Sequence, residues 1–133
     1  MGGTPIWAFR SFVTDRGDSE VSTWYEAQTP KVQAKFDTTL RYLRDRPSWG
    51  LPYTDVLTEG DCNGIIEIRF QAEKVQHRPL GFQGPLKREF TILNFATEHN
   101  FKLKPPESCQ TANRRKALVI ANREARSCAW TVE

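Results

Sequence analysis

The sequence predicts a single α+β domain in which helices flank a mostly antiparallel sheet. Two segments between residues 18 and 44 repeat apolar residues at helical spacing, and a third helical segment, rich in basic residues, follows residue 107. Between them, residues 64–95 alternate apolar and polar side chains and are divided by turn-forming residues. A chain of 133 residues can bury one core, so we expect residues 1–133 to form one domain.

The first half of the chain predicts one strand and two helices. Residues 5–14 are rich in aromatic and β-branched types, which favour a strand. Asp18 or Ser19 can cap a helix that runs to about Gln28. Thr29 and Pro30 form a second helix start, and this helix should end before Pro47. Its expected core positions are Val32, Phe36, Leu40 and Leu43.

The second half predicts four strands and a final helix, so the expected order is β-α-α-β-β-β-β-α. A short strand near residues 55–58 precedes three longer strands within residues 64–95. Pro79 cannot donate a ladder hydrogen bond, which predicts an irregular or bulged strand there. The last helix should run from about Ser108, with Glu107 or Ser108 at its cap, to Arg126. Its expected inward-facing residues are Cys109, Ala112, Val119 and Ile120.

Charge is unevenly distributed along the chain, although the formal net charge is only +3. Residues 1–66 hold 7 Lys/Arg and 9 Asp/Glu, a net charge of −2, and residues 67–126 hold 12 and 6, a net charge of +6. This distribution favours a polyanion such as nucleic acid, or an acidic protein, as the partner. A basic solvated surface with no partner is the alternative.

Three cysteines, Cys62, Cys109 and Cys128, lack CxxC spacing and are interpreted as structural thiols. Zinc would need further ligands, and the histidines available are His77 and His99, so we expect no metal site and no cofactor. The start of the chain lacks the features of a signal peptide, and no apolar run is long enough to cross a bilayer. We therefore expect a cytoplasmic protein without a membrane partner.

Charged residues within the predicted strands are the candidate site. Glu67 and Arg69 share one face, and a turn near residues 73–74 would place Arg78 opposite Arg69. Arginine forks match phosphate oxygens, and Glu67 or His77 could act as the base in RNA cleavage. Strict alternation puts His77 and Arg78 on opposite faces. Alternatively, Glu67 only forms a salt bridge with Arg69 or Arg78.

Further basic residues extend this candidate site. We expect Glu67, Arg69, Arg78 and Arg88 to be catalytic. Expected RNA-binding residues are Lys87, Lys102, Lys104, Arg114 and Arg115. No Ser/His/Asp, phosphate-loop or dinucleotide pattern is present, which removes those reaction classes.

Three motifs resemble the RelE/ParE superfamily of toxins, and most of all its HigB-like, phage-related branch. They are EIRF at residues 67–70, VQHRPLGFQGPLKREFTIL at residues 75–93 and KLKPPESCQTANRRK at residues 102–116. The similarity spans roughly residues 36–116. By position, Glu67 and Arg69 match the Glu-x-Arg strand of the family, and Arg78 matches the arginine of its Arg-Pro-Leu-Gly strand. Lys87 and Arg88 match its basic turn before the last strand.

The resemblance implies a RelE-like fold and a toxin of a type II toxin–antitoxin system. Such a toxin is a metal-independent endoribonuclease that cuts mRNA at the ribosome and is neutralised by an antitoxin, here expected to be a helix-turn-helix protein. Members of the family carry an acid, His or Tyr near the end of the last strand or the C-terminus. This chain offers Thr97, Glu98, His99 and Trp130 there. The alternative function is a non-catalytic basic module that binds an acidic protein or nucleic acid.

Overall fold

A computed structural model describes residues 5–132. In chain order the described elements are β1 (Ala8–Phe12), α1 (Glu20–Glu26), α2 (Pro30–Arg44), β2 (Thr54–Val56), a 3-10 turn (Gly60–Cys62), β3 (Ile66–Ile68), β4 (Phe70–Ala72), β5 (Val75–Gln83), β6 (Glu89–His99), β7 (Lys102–Lys104), α3 (Ser108–Ala121), α4 (Arg123–Arg126) and β8 (Ser127–Trp130).

The α+β class and the mostly antiparallel sheet are confirmed. Strands follow the order β2-β3-β5-β6-β1-β8, with β4 beside β5 and β7 beside β6. Among the described strands, β1 and β6 are parallel, and the other pairs are antiparallel. The parallel pair arises because α1, α2 and the antiparallel strands lie between β1 and β6 in sequence.

Helices cover both faces of this sheet. Phe36 and Leu40 of α2 pack against Ile68 and Phe90 on one face. Ala112 and Val119 of α3 pack with Leu80 and Leu93 on the other. Because both faces are buried, alternate residues of the central strands point into different halves of the core.

Local start signals in the N-terminal half are confirmed. The Ser19 hydroxyl accepts a hydrogen bond from the Ser22 amide at the start of α1, and the Thr29 hydroxyl accepts one from Val32 at the start of α2. Pro30 occupies the first turn of α2, and Val32, Phe36, Leu40 and Leu43 are all buried. These helices begin where side-chain oxygens can satisfy free amide groups.

The strand region departs from the prediction at Arg69, whereas the irregularity predicted near Pro79 is confirmed. The first long strand is interrupted at Arg69, whose amide donates to the Tyr53 carbonyl, so it forms β3 and β4. The β5–β6 register shifts between Leu80 and Gly81, just after Pro79. A Cβ at Gly81 would clash with the Thr91 carbonyl, so this shift requires glycine.

The prediction for the last helix was wrong in two respects. The last helix ends at Ala121 and is followed by the short α4, because Asn122 leaves the helical conformation and caps α4 through its side chain. Ile120 is exposed, whereas Val119 is buried. The tail, for which no element was predicted, forms β8 and pairs with β1.

Cys62 and Cys109 form a disulfide, which joins the 3-10 turn to the first turn of α3. The cysteines were interpreted as structural thiols, and their spacing alone does not reveal this pair. Cys128 is the free thiol within the described residues. Within residues 5–132, no helix is both long and apolar enough to cross a membrane.

Candidate functional site

An open groove of about 680 Å³ lies on the α3 face of the sheet, beyond the first turn of that helix. It exists because α3 begins at Ser108 and covers only part of the sheet. We call it the groove, and its lining consists of residues 55–59, Cys62, Glu67, Glu98, residues 101–104, Pro106 and Cys109. Cavities of this size are typical of small-ligand sites.

Two residues that line the groove, Glu67 and Glu98, belong to a network of charged side chains. An Arg69 guanidinium nitrogen lies 2.6 Å from a Glu67 carboxylate oxygen. Arg78 lies 3.9 Å from Glu67 and 3.2 Å from Glu98. The strand register explains the cluster: Phe70 pairs with His77 and Glu67 with Leu80, so Arg69 and Arg78 lie opposite one another, as predicted.

The arginines of this network differ in exposure. The Arg78 side chain is 3% exposed and also donates to the His77 carbonyl oxygen. The Arg69 side chain is 30% exposed. Arg78 therefore holds the two carboxylates in place, whereas Arg69 can also meet a ligand from solvent.

Burial raises the pKa of Glu67, although the hydrogen bond from Arg69 and the charges of Arg69 and Arg78 act in the opposite direction. Asp55, which is opposite Glu67 on β2, adds to the increase. A carboxyl group with a raised pKa at the wall of an open groove has the property that a proton-transfer group requires.

Glu89 is a second buried glutamate with arginine partners, and it behaves differently. It accepts hydrogen bonds from Arg123 at 2.6 and 3.0 Å. Burial alone would raise the pKa of Glu89, but these bonds, the Leu86 amide and the charges of Arg123 and Arg10 lower it. Both glutamates form ion pairs, as the alternative for Glu67 predicted, but the pKa of Glu89 is lowered and that of Glu67 is raised.

Arg69 borders a second depression, which lies at the edge of the sheet on the α2 side. This tyrosine depression, as we name it, is lined by Lys35, Tyr42, Tyr53, Arg69 and Lys74, with neighbouring residues of α2 and β4. The Tyr42 and Tyr53 ring centroids are 4.3 Å apart. Basic and aromatic side chains at one edge can bind anionic or planar ligands.

The structure does not bring Arg88 or Lys87 to the groove. Both lie in the turn between β5 and β6, and the Arg88 guanidinium donates to the Pro47 carbonyl and lies over the Trp7 ring. Strand β5 runs from Arg78 toward this turn, so the two arginines are at opposite ends of it. The proposed grouping of Arg69, Arg78 and Arg88 on one phosphate-binding face is therefore corrected.

The predicted RNA-binding residues divide into two groups. Lys102 and Lys104 line the groove from β7. Arg114 is exposed on α3, whereas Arg115 bonds to the Leu93 carbonyl and to Glu20. Arg115 is three residues after Ala112 and four before Val119, which places it on the packed face of the helix.

His77 is separated from the network, as the alternation of β5 predicted. Its ring stacks on Phe70 with centroids 4.9 Å apart and lies against Trp24 on the α1–α2 face. Burial and the charge of Arg78 lower the pKa of His77. Of the two residues considered as a base, Glu67 lines the groove and His77 does not.

Two features of the groove were not predicted from sequence. Glu98 joins the network because Gln76 pairs with it and Arg78 pairs with Ala96, two residues earlier on the same face of β6. Knowledge of the β5–β6 register would have predicted that Glu98 lies beside Arg78. Phe101 lines the groove with its side chain in solvent, and no feature of the run NFKLK predicted this exposed ring.

Among the described residues, no group of three or more His, Cys, Asp or Glu side chains is placed to hold a metal ion. Comparisons of the chain with protein-family models, with curated proteins and with solved structures gave no match.

Proposed function

We propose that this protein is an RNA-cleaving toxin of a type II toxin–antitoxin pair, which acts on mRNA at the ribosome without a metal or cofactor. One observation carries the proposal: Glu67 and Glu98 line an open groove, and both carboxylates form ion pairs with the buried Arg78. Two carboxylates with different surroundings, next to arginines, supply the groups that RNA cleavage needs. The motifs that resemble the RelE/ParE toxins support the same function.

In the proposed reaction, Glu67 accepts the proton of a ribose 2′-hydroxyl. The 2′-oxygen attacks phosphorus, the bond from phosphorus to the 5′-oxygen breaks, and the products are a 2′,3′-cyclic phosphate and a 5′-hydroxyl. Arg69 stabilises the charge on the phosphate, because it is the more exposed arginine of the network. We assign proton delivery to the 5′-oxygen to Glu98, which lies on the other side of Arg78.

The proposal includes a RelE-like topology and a helix-turn-helix antitoxin as partner. In the RelE-like interpretation, β4, β7 and β8 are additions to the predicted order of elements. The proposed site of action is the cytoplasm, where Cys62 and Cys109 would be kept reduced. The disulfide would then form only after exposure to oxidant.

A non-catalytic basic module is the second candidate, and a specific observation favours it. Arg78 and Arg115, both expected to act on RNA, are engaged in contacts within the protein. The tyrosine depression still offers Lys35, Arg69 and Lys74 to an acidic partner. This function predicts salt-sensitive binding without any cleaved product.

Induced expression without an antitoxin distinguishes the two functions. We expect growth arrest and new 5′ ends within translated transcripts. The Arg69→Ala variant should lower cleavage about 100-fold, because it removes the exposed charge at the phosphate. Arg16→Ala, which removes an exposed arginine from the loop after β1, is the matched control and should arrest growth as the parent does. Normal growth with intact transcripts, at verified expression, would rule out the toxin.

A further inference from the structure

Phe101 occupies a position that neither packing nor turn geometry explains. Its side chain is 98% exposed, although phenylalanine is normally buried. Asn100 and Phe101 have φ angles of 52° and 64° in the turn between β6 and β7. A two-residue turn with both φ values positive favours glycine at its second position. The turn would be more stable with glycine, and the ring contributes nothing to the core.

Charged residues surround Phe101 in the groove. Lys102 and Lys104 follow it on β7, and all three residues line the groove. Carboxylates of Asp55, Glu59, Glu67 and Glu98 line the same groove. Lys102 and Lys104 therefore favour a phosphate at the β7 side, and a phosphate is disfavoured near Asp55 and Glu59, where the groove interior is acidic.

A nucleobase fits the acidic interior better than a phosphate does. Bases are uncharged, present a flat face for stacking, and carry amino groups in cytosine, adenine and guanine. Carboxylate oxygens accept hydrogen bonds from such amino groups. An aromatic ring beside lysines is the arrangement by which single strands are bound, with bases on the ring and phosphates on the cations.

We propose that the groove is a nucleobase subsite for single-stranded RNA, in which an amino-bearing base stacks on Phe101 while Lys102 and Lys104 bind the adjacent phosphates. This subsite deepens the proposed function and rests on it for the identity of the ligand as RNA. It adds a residue, Phe101, and a base preference that the charged network alone does not imply.

Fluorescence anisotropy with 2′-O-methyl octamers tests the subsite, because these strands cannot be cleaved through a 2′-hydroxyl. The wild-type protein should bind the cytidine octamer about 5-fold more tightly than the uridine octamer. Phe101→Ala and Phe101→Leu should each weaken binding of the cytidine octamer roughly 5- to 100-fold relative to wild type. Phe101→Trp, which keeps an aromatic ring, should bind it as tightly as wild type does. An octamer of the same backbone without bases should bind equally to all variants.

Ile120→Ala is the matched control, since it removes another exposed apolar side chain, on α3 outside the groove, and should change no affinity. Equal binding by wild type and Phe101→Ala, or an equal loss on the octamer without bases, overturns the stacking role. A preference for uridine overturns the assignment of an amino-bearing base. Binding that depends on Phe101, together with failure to cut a cleavable RNA, refutes only the proposed cleavage. Failure of the wild-type protein to bind any octamer refutes the subsite.

Discussion

Glu67 and Glu89 show, at the scale of single residues, how similar partners produce different chemistry. Both are buried and both face arginines. Glu89 accepts bonds from Arg123 and from a backbone amide, and its pKa is lowered. Glu67 has Arg69 as its close donor, with Arg78 farther away and Asp55 nearby, and its pKa is raised. Incomplete compensation of a buried charge costs stability, which is a common property of functional sites.

The opposite pKa shifts predict opposite effects of pH on two glutamine variants. The raised pKa of Glu67 means that its contribution to folding is fullest below the unfolded value and is lost as pH rises through the folded pKa. The melting temperature of Glu67→Gln minus that of wild type should therefore rise from pH 4 to pH 8. Because the pKa of Glu89 is lowered on folding, ionised Glu89 stabilises the fold at pH values above its unfolded-state pKa, and this stabilisation is lost in acid. The melting temperature of Glu89→Gln should therefore fall furthest below that of wild type at neutral pH.

Thermal melts from pH 4 to pH 8 measure the melting-temperature difference of each variant from wild type. Parallel pH profiles for the two variants would contradict the distinction drawn between them. If the melting temperature of Glu67→Gln instead fell relative to wild type as pH rises, Glu67 would act as a member of an ordinary structural ion pair.

The sequence was informative about residues on strands and less so about residues elsewhere. Glu67, Arg69 and Arg78 could be grouped because strand alternation has a fixed period and the turn between β4 and β5 was located correctly. Arg115 could not be placed, because a basic residue on the packed side of a helix looks like its exposed neighbours in sequence. Glu98 required the β5–β6 register, which depends on a five-residue connection and a bulge.

At the scale of elements, two turns at the same end of the sheet hold residues with positive φ. Glu73 and Lys74 join β4 to β5, and Asn100 and Phe101 join β6 to β7. In each turn the second residue, Lys74 or Phe101, has a φ near 65° without being glycine, since the values are 65° and 64°. L-residues incur a cost of roughly 1–2 kcal/mol in this region.

Replacing these residues by glycine should therefore stabilise the protein. We expect Lys74→Gly and Phe101→Gly each to raise the free energy of unfolding by about 1 kcal/mol, measured by urea denaturation. Phe101→Gly should also weaken binding of the cytidine octamer, because Phe101 lines the groove. A loss of stability on Phe101→Gly would show that the ring supports the fold and would contradict its assignment as a ligand contact.

The disulfide links two elements that border the groove, and its removal has a predictable cost. Cys62 and Cys109 are separated by 47 residues. By chain entropy, opening a loop of this length should lower the free energy of unfolding by roughly 4 kcal/mol. Urea denaturation of Cys62→Ala against the oxidised parent measures the loss, and Cys128→Ala is the control. Equal midpoints for Cys62→Ala and the oxidised parent would contradict a structural role for the bridge.

At the scale of the whole molecule, the fold is a sheet between two helical layers, and the groove is the part that α3 leaves open. The α+β class and the N-terminal helices could be predicted because Ser19, Thr29 and Pro30 are strong local signals. Strands β7 and β8 could not, because short strands depend on partners distant in sequence rather than on their own residues.

The molecule also concentrates its unexplained features on one side. The raised pKa of Glu67, the exposed ring of Phe101 and the lysines of β7 all belong to the groove. The opposite end of β5, where Glu89 pairs with Arg123, has a stabilising arrangement instead. Incomplete charge compensation beside an exposed aromatic ring favours a site there over a merely basic surface.

The most direct test of the central claim is cleavage of an end-labelled mRNA on translating ribosomes by purified protein, followed by analysis of the new ends. The wild-type protein should produce 2′,3′-cyclic phosphate and 5′-hydroxyl ends without added metal, and Glu67→Gln should lower the rate by at least about 100-fold while remaining folded. Intact mRNA with the wild-type protein, or equal cleavage by folded Glu67→Gln, would contradict the claim that this groove cleaves RNA.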